Sequence, residues 1–210
     1  MATILREWSY RYPWFYNAIS WLAALSVGGE QRFRQLALTD IEMTSDMEVL
    51  DLCCGNGQAT RYLVQHSSKV TGLDASPLAI SRAQQVAPDA KYIEGWAESM
   101  PFPEQRFDVV HASVALHELQ PVQLWRTLQE VHRVLKPGGV FTFVDFHPPF
   151  HPLFNVSLGL FILLFETETA RQFLKTDVAD LLVRVGFRQT RRLLYAGGSL
   201  QVIQTYKVEP

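Results

Sequence analysis

Short apolar runs alternate with helical segments between residues 47 and 146. Runs of this length, bounded by glycine, proline and acidic residues, are typical of buried strands. The pattern predicts strands near 48–53, 69–74, 91–95, 108–112 and 140–146, with helices near 58–65, 77–85 and 122–135. This alternation favours an α/β fold in which helices cover both faces of a parallel sheet.

Two local signals mark helix boundaries inside this region. Ser76 precedes Pro77, which predicts a capping hydroxyl followed by proline at the first helical position. The segment Lys136-Pro137-Gly138-Gly139 predicts the end of a helix before the strand near 140.

The C-terminus predicts a strand that runs backwards. Two strand-like runs, 187–195 and 200–206, are joined only by Ala196-Gly197-Gly198-Ser199. Such a short connection suits an antiparallel pair, because parallel strands need a long crossover. A nicotinamide-dependent oxidoreductase would continue with parallel crossovers, so the hairpin disfavours that alternative.

A glycine turn follows the first predicted strand, in the order Asp51-Leu52-Cys53-Cys54-Gly55-Asn56-Gly57. Glycines let the backbone turn sharply and approach a ligand closely, and the following helix would point its N-terminus at that ligand. The second strand ends in Asp74, at the spacing that places a carboxylate on a ribose hydroxyl. The pattern predicts a nucleotide-cofactor site, although Asp74 could be a solvated strand end and Asp51 could cap the turn.

Composition narrows the partner and the compartment. With 210 residues, 48% hydrophobic and 19% charged, the chain is expected to form one globular domain. A net charge of -2 gives no basic surface for nucleic acid, so a small-molecule partner is expected. The only cysteines, Cys53 and Cys54, are adjacent and cannot form an ordinary disulfide; together with the absence of a signal peptide, this predicts a cytoplasmic location.

Two flanking segments are rich in aromatic and aliphatic residues. Segments 10–38 and 147–173 either pack as helices on the sheet or form a lid or apolar pocket for a substrate. We divide the domain into a helical cap (1–46), a cofactor-binding core (47–146), a helical lid (147–186) and a terminal hairpin (187–210). The most apolar run, 156–165, is shorter than the ~20 residues that cross a bilayer, which leaves peripheral membrane contact open.

The motifs together resemble the class I S-adenosylmethionine-dependent methyltransferases. They are Asp51 to Gly57 as written above, Gly72-Leu73-Asp74, Ala97-Glu98-Ser99-Met100-Pro101-Phe102-Pro103, Phe107-Asp108-Val109-Val110 and Leu135-Lys136-Pro137-Gly138-Gly139. The resemblance implies a Rossmann-like seven-strand sheet with an antiparallel last strand. Within that class the chain is similar to the ubiquinone and menaquinone C-methyltransferases, through the opening Asp51-Leu52-Cys53-Cys54-Gly55, Phe15-Tyr16-Asn17, and Gly197-Gly198 followed by Lys207.

This resemblance implies S-adenosylmethionine as cofactor, with S-adenosylhomocysteine as product. The implied cofactor residues are Asp51, Cys53, Gly55, Gly57, Asp74, Ala75, Trp96, Ala97 and Ser113. Asp51, Gly55 and Gly57 would surround the methionine part, and Asp74 would hold the ribose hydroxyls.

Three departures from the family pattern involve four positions. Cys53 replaces a glycine, and we expect it to pack in the turn and not to act as a catalytic thiol. Trp96 replaces an aspartate that faces the adenine, so it either stacks on that ring or belongs to the core. His117-Glu118 replaces an arginine-asparagine pair of the quinone methyltransferases.

The methyl acceptor is expected to be small and largely apolar, with a prenylated quinone precursor as the class that the resemblance suggests. His117 follows the fourth strand and is the candidate general base, with a hydrogen-bonded structural histidine as the alternative. The candidate substrate residues are Tyr16, His117, His147 and Phe161.

The histidines lack the spacing of metal ligands, so no metal is predicted. A non-catalytic cofactor-binding or scaffold subunit is the alternative function, and no oligomeric state is predicted.

Overall fold

The computed structural model describes residues 24–151, 154, 158–159 and 168–208. Its strands are β1 Glu48–Leu52, β2 Lys69–Asp74, β3 Lys91–Glu94, β4 Phe107–Ser113, β5 Leu135–Phe146, β6 Phe187–Tyr195 and β7 Leu200–Lys207. Its helices are α1 Glu30–Gln35, α2 Thr60–Leu63, α3 Pro77–Val86, α4 Pro121–Val134, α5 Glu168–Leu174 and α6 Val178–Val185, with 3-10 turns at Leu36–Leu38, Leu116–Glu118 and Ala196–Gly198.

The seven strands form one sheet in the order β3-β2-β1-β4-β5-β7-β6. The first five strands in sequence are parallel, whereas β7 lies between β5 and β6 and runs antiparallel to both. The predicted fold, including the reversed last strand, is confirmed. The strand order changes direction between β1 and β4, and in open α/β sheets the crevice at that point is where ligands bind.

Two predicted elements, one strand and one helix, have different bounds in the structure. β5 begins at Leu135 and not at 140, because Leu135 already pairs with Phe107 before the strand resumes its pairing at Val140. Gly138 has φ +75° at this irregularity, a conformation that favours glycine. The predicted helix end was correct to within one residue, since α4 stops at Val134, but α2 spans only Thr60–Leu63 of the predicted 58–65.

Apolar side chains cover both faces of the sheet. On one face Phe141, Phe143 and Phe187 pack with buried residues of α4 and α6. On the other, Phe33 and Leu36 pack against strands β5 and β7. Each such side chain contributes about 1.5–3 kcal/mol when fully buried. Of the two alternatives for the segment 10–38, packing on the sheet is therefore the one that Phe33 and Leu36 show.

A salt-bridged pair on α4 fastens the loop between β3 and β4. Arg133 donates to the carbonyls of Met100 and Phe102 at 3.2 and 2.8 Å, and its Nε lies 2.7 Å from Glu130 Oε1. Glu130 Oε2 also accepts from the backbone N–H of Met100 at 2.8 Å. These bonds fix the end of the segment that carries Trp96 and Ala97.

Replacing Arg133 with methionine is expected to lower the free energy of unfolding by about 2 kcal/mol, because two backbone carbonyls lose a charged donor. The Arg133 hydrogen bond also lowers the pKa of Glu130. The stabilisation that the Glu130–Arg133 bond adds is present above the unfolded glutamate pKa of about 4.3. It is lost as the pH falls through the lower pKa that Glu130 has in the folded protein. Urea unfolding between pH 7 and pH 3 should show a weaker acid dependence in Arg133→Met, while Arg126→Met, an exposed position on the same helix, should match the wild type.

Candidate functional site

A cavity of about 640 Å³ opens at the carboxyl ends of β1, β2 and β4. Its wall includes the predicted cofactor residues Asp51, Cys53, Gly55, Asp74, Ala75, Trp96, Ala97 and Ser113. The size falls within the range of small-molecule and cofactor sites. Residues from three strands and the loops after them thus meet at the sheet edge where the topology changes direction.

Asp51 is the buried carboxylate of this cavity and is only 1% exposed. Its Oδ2 accepts from the Thr60 hydroxyl at 2.6 Å, and its Oδ1 lies 2.9 Å from Nδ1 of His111. The Thr60 bond ties β1 to the first residue of α2, and no backbone N–H of the described turn donates to Asp51. His111 was not predicted, because nothing in the sequence marks it as the register partner of Asp51 on β4.

Asp74 joins the two loops that border the cavity. Its Oδ2 accepts from the backbone N–H of Gly55 at 2.8 Å, and its Oδ1 accepts from the backbone N–H of Ser76 at 2.9 Å. Ser76 then caps α3 through Ala79, as predicted. The carboxylate is therefore held between the glycine turn and the helix start, on the wall of the cavity.

The glycine turn has three residues in the left-handed region: Cys53 at φ +54°, Gly55 at +53° and Gly57 at +76°. This conformation explains why the family pattern has a glycine where this chain has Cys53. A non-glycine residue adopts it at a cost of about 1–2 kcal/mol. Burial, followed by the charge of Asp74, raises the pKa of the Cys53 thiol. The thiol is therefore protonated at neutral pH, which agrees with a packing role.

Gly57 does not belong to the cavity wall, unlike the other predicted cofactor residues. A Cβ there would lie 3.0 Å from the Cα of Ala83 on α3, so packing of the turn on that helix requires glycine. Gly55 has open space where its Cβ would be. The structure thus gives Gly57 a packing role, and its contact with the cofactor stays a prediction.

The two glycines give a matched pair of substitutions. Gly55→Ala should cost about 1 kcal/mol, because it adds only left-handed strain, whereas Gly57→Ala should cost about 3 kcal/mol through strain plus a clash with Ala83. Thermal and urea denaturation measure both. Equal destabilisation would contradict the packing role of Gly57.

Trp96 lies at the rim of the cavity and is 62% exposed. This exposure rules out the core alternative for its side chain. Ala97, the next residue, is buried on the same wall. Stacking of Trp96 on an adenine, with Ala97 offering its backbone, stays a prediction.

Arg34 is a cavity residue that sequence reasoning missed. It comes from α1, is 6% exposed, and its Nε has no hydrogen-bond partner among the described residues. Among the described residues, its nearest counter-charge is Glu30 Oε1 at 4.0 Å. Ser113 Oγ is likewise buried on the wall and unpartnered in the described part of the chain. A buried guanidinium, a buried carboxylate and a free hydroxyl fit the carboxylate, ammonium and other polar groups of S-adenosylmethionine.

His117 is 1% exposed and lies beside the cavity, between the wall residues Ala115 and Glu118. Its Nδ1 is 2.7 Å from Asp145 Oδ1 at the end of β5. Asp145 also accepts from the backbone N–H groups of Leu116, His117 and Phe146. The His117 ring packs against Phe146, with ring centroids 4.4 Å apart, and Phe173 at 6.4 Å. Its role as a general base stays a prediction.

The other candidate substrate residues are less informative. His147 Nδ1 lies 2.9 Å from the carbonyl of Gly198, which holds it against the hairpin turn at the same sheet edge. Tyr16 and Phe161 lie outside the described residues. In the part of the chain that the structure describes, no group of three or more His, Cys, Asp or Glu side chains could hold a metal ion, and no helix there is long and apolar enough to cross a membrane.

Comparison with known proteins identifies the family. The family model described as a methyltransferase domain matches residues 49–139. An uncharacterized methyltransferase of Synechocystis is 56% identical over 204 residues, which are 97% of this chain and 96% of that protein. A 2-phytyl-1,4-naphtoquinone methyltransferase of Thermosynechococcus vestitus is 35% identical over 131 residues, 60% of this chain and 57% of that protein.

The fold comparison agrees with the sequence comparison. A solved S-adenosylmethionine-dependent methyltransferase of Thermotoga maritima aligns with a TM-score of 0.73 at 18% identity, over 97% of this chain and 99% of that one. The similarity over nearly the full length to a methyltransferase favours the enzyme over the scaffold alternative. The chain therefore belongs to the class I S-adenosylmethionine-dependent methyltransferases and is an enzyme that uses S-adenosylmethionine as its methyl donor.

Proposed function

We propose that this methyltransferase acts on a small, largely apolar acceptor of the prenylated quinone class, in its reduced, hydroxyl-bearing form. The observation that carries the proposal is the His117–Asp145 pair, buried beside the cavity and packed against Phe146 and Phe173. A base in aromatic surroundings suits the removal of a proton from an apolar phenolic substrate. The similarity to a 2-phytyl-1,4-naphtoquinone methyltransferase supports the same acceptor class.

His117 has the arrangement of an oriented general base. Asp145 is acceptor-only when ionised and already receives three backbone N–H groups, so Nδ1 of His117 carries the proton between them. The other ring nitrogen, Nε2, is then the one that accepts a proton from the acceptor. When bound, S-adenosylmethionine supplies a methyl group made electrophilic by the positively charged sulfur.

The cavity residues divide the work of holding the cofactor. Arg34 binds the carboxylate of the methionine part, and Asp51 attracts its ammonium group. Asp74 binds the ribose hydroxyls, while Trp96 stacks on the adenine at the rim.

The test uses methyl-labelled S-adenosylmethionine with a reduced 2-phytyl-1,4-naphthoquinone acceptor, and matched polar phenols and amines of similar ring size as controls. We expect a methylated naphthoquinol as the main product, with the proton that leaves the acceptor taken up by the base. Fragmentation in tandem mass spectrometry separates carbon from oxygen methylation, because the two products have the same mass. Methylation of the polar controls alone would contradict the acceptor class and leave the methyl-transfer activity intact.

A prenylated acceptor resides in a lipid bilayer, so we also propose peripheral contact with a membrane. The support is the apolar run 156–165 of the sequence, which lies largely outside the described residues. Co-sedimentation with lipid vesicles that contain the prenylated quinone is the expected result. A protein that stays in the supernatant at every lipid concentration would contradict this proposal.

A further inference from the structure

A row of polar side chains crosses the middle of the sheet. Asp51 on β1, His111 on β4, Thr142 on β5 and Gln204 on β7 are consecutive register partners. Residues directly opposite each other on neighbouring strands point to the same face. All four are at most 3% exposed, and Thr142 and Gln204 lie against the segment that follows α1.

One end of the row includes the cavity residue Asp51, and the other end bonds to the backbone that follows the cavity residue Arg34. At one end, His111 Nδ1 meets the Asp51 carboxylate at 2.9 Å. At the other end, Thr142 donates to the carbonyl of Ala37, and Gln204 Nε2 donates to the carbonyls of Ala37 and Thr39 at 3.3 and 2.6 Å. Ala37 lies three residues after Arg34, just beyond the end of α1.

The row is an unfavourable way to fill a sheet interior. Among the described residues, His111 Nε2 is buried without a hydrogen-bond partner, which costs about 1–3 kcal/mol relative to a paired group. An apolar side chain of similar volume would avoid that cost. The row holds Asp51 and the segment that follows Arg34, and the placement of these groups is the benefit that offsets the cost.

We infer that His111, Thr142 and Gln204 are positioning residues that set Asp51 and Arg34 relative to each other and thereby select the α-amino-acid end of the cofactor. An α-amino acid carries an ammonium and a carboxylate on one carbon, so its recognition needs an anion and a cation held at a fixed separation. Buried side chains at consecutive register positions of a rigid sheet supply that constraint, because one end of the row bonds to Asp51 and the other bonds to the carbonyl of Ala37. The inference rests on the proposed roles of Asp51 and Arg34.

The test compares two ligands that differ only at this end. S-adenosylhomocysteine has the amino-acid group, whereas 5′-methylthioadenosine keeps the adenosine and the thioether without it. Calorimetry gives Kd for both, and their ratio isolates amino-acid recognition from the overall condition of the protein. We expect His111→Leu and Gln204→Met to weaken S-adenosylhomocysteine binding about tenfold relative to methylthioadenosine binding.

Two further variants serve as controls. His111→Asn places an amide N–H near the position of Nδ1 and should restore a ratio close to that of the wild type. Thr205 is a fully buried threonine on β7, outside the row, whose hydroxyl bonds to Arg188 and Thr190. Thr205→Val should lower stability without changing the ratio.

A wild-type ratio in both His111→Leu and Gln204→Met would overturn the inference and leave the row as a purely structural feature. If His111→Leu fails to fold, Gln204→Met and the nearly isosteric Thr142→Val decide in the same way. Failure of the wild type to bind S-adenosylhomocysteine would instead remove the cofactor assignment itself. The two failures are therefore distinguishable.

Discussion

Arg34→Met is expected to raise the Kd for S-adenosylhomocysteine about a hundredfold, or about 2.7 kcal/mol. The guanidinium is buried on the cavity wall, and its Nε has no protein partner among the described residues. Removing one partner of a buried charge pair costs about 2–5 kcal/mol, because the other charge is left desolvated and unpaired. Methionine keeps most of the side-chain volume, so the fold should persist.

Arg82 provides the matched control for this experiment. It lines the same cavity from α3 but is more exposed than Arg34, so its charge is better screened by solvent. Arg82→Met should change the Kd no more than about threefold. Equal losses in the two variants, or a loss of methylthioadenosine binding in Arg34→Met, would contradict carboxylate binding by Arg34.

His117→Ala is expected to lower kcat about 1,000-fold with the Kd for S-adenosylhomocysteine nearly unchanged. General-base catalysis contributes about 10²–10⁴ in rate, and His117 does not belong to the wall of the cofactor cavity. Initial rates with the reduced naphthoquinone acceptor and calorimetry on the same preparations measure the two quantities. Full turnover in His117→Ala would leave His117 as a structural histidine.

Asp145→Asn tests the orientation of His117 separately from its presence. The asparagine amide group would face Nδ1 and favour the opposite tautomer, so kcat should fall about 100-fold even though the imidazole remains. If raising the assay pH restores none of this activity, the loss comes from the wrong tautomer of His117. It does not then come from a changed proton affinity of the imidazole. Activity equal to that of the wild type would show that Asp145 only completes the buried hydrogen-bond network.

The strands and the chain reversal were predictable because each depends on local patterns. Apolar runs between turn signals located seven strands, and the short connection at Ala196-Gly197-Gly198-Ser199 required the antiparallel neighbour. Most predicted cofactor residues reached one cavity, since motif residues at the carboxyl ends of parallel strands meet at the same edge. Gly57 was the exception, because a glycine required by a helix contact looks the same in sequence as one required by a ligand.

The sequence by itself determined the α/β order, the position of the cofactor turn and the acidic strand ends, because strand length, turn residues and spacing are encoded within short segments. Only the tertiary structure decided that Arg34 joins the cavity, that His111 meets Asp51 across 60 residues, and that His117 pairs with Asp145. These contacts depend on which strands become neighbours and on their register. Which residues of two distant strands pair with each other produces no repeating pattern in the sequence. The pairing is therefore visible only once the sheet has formed.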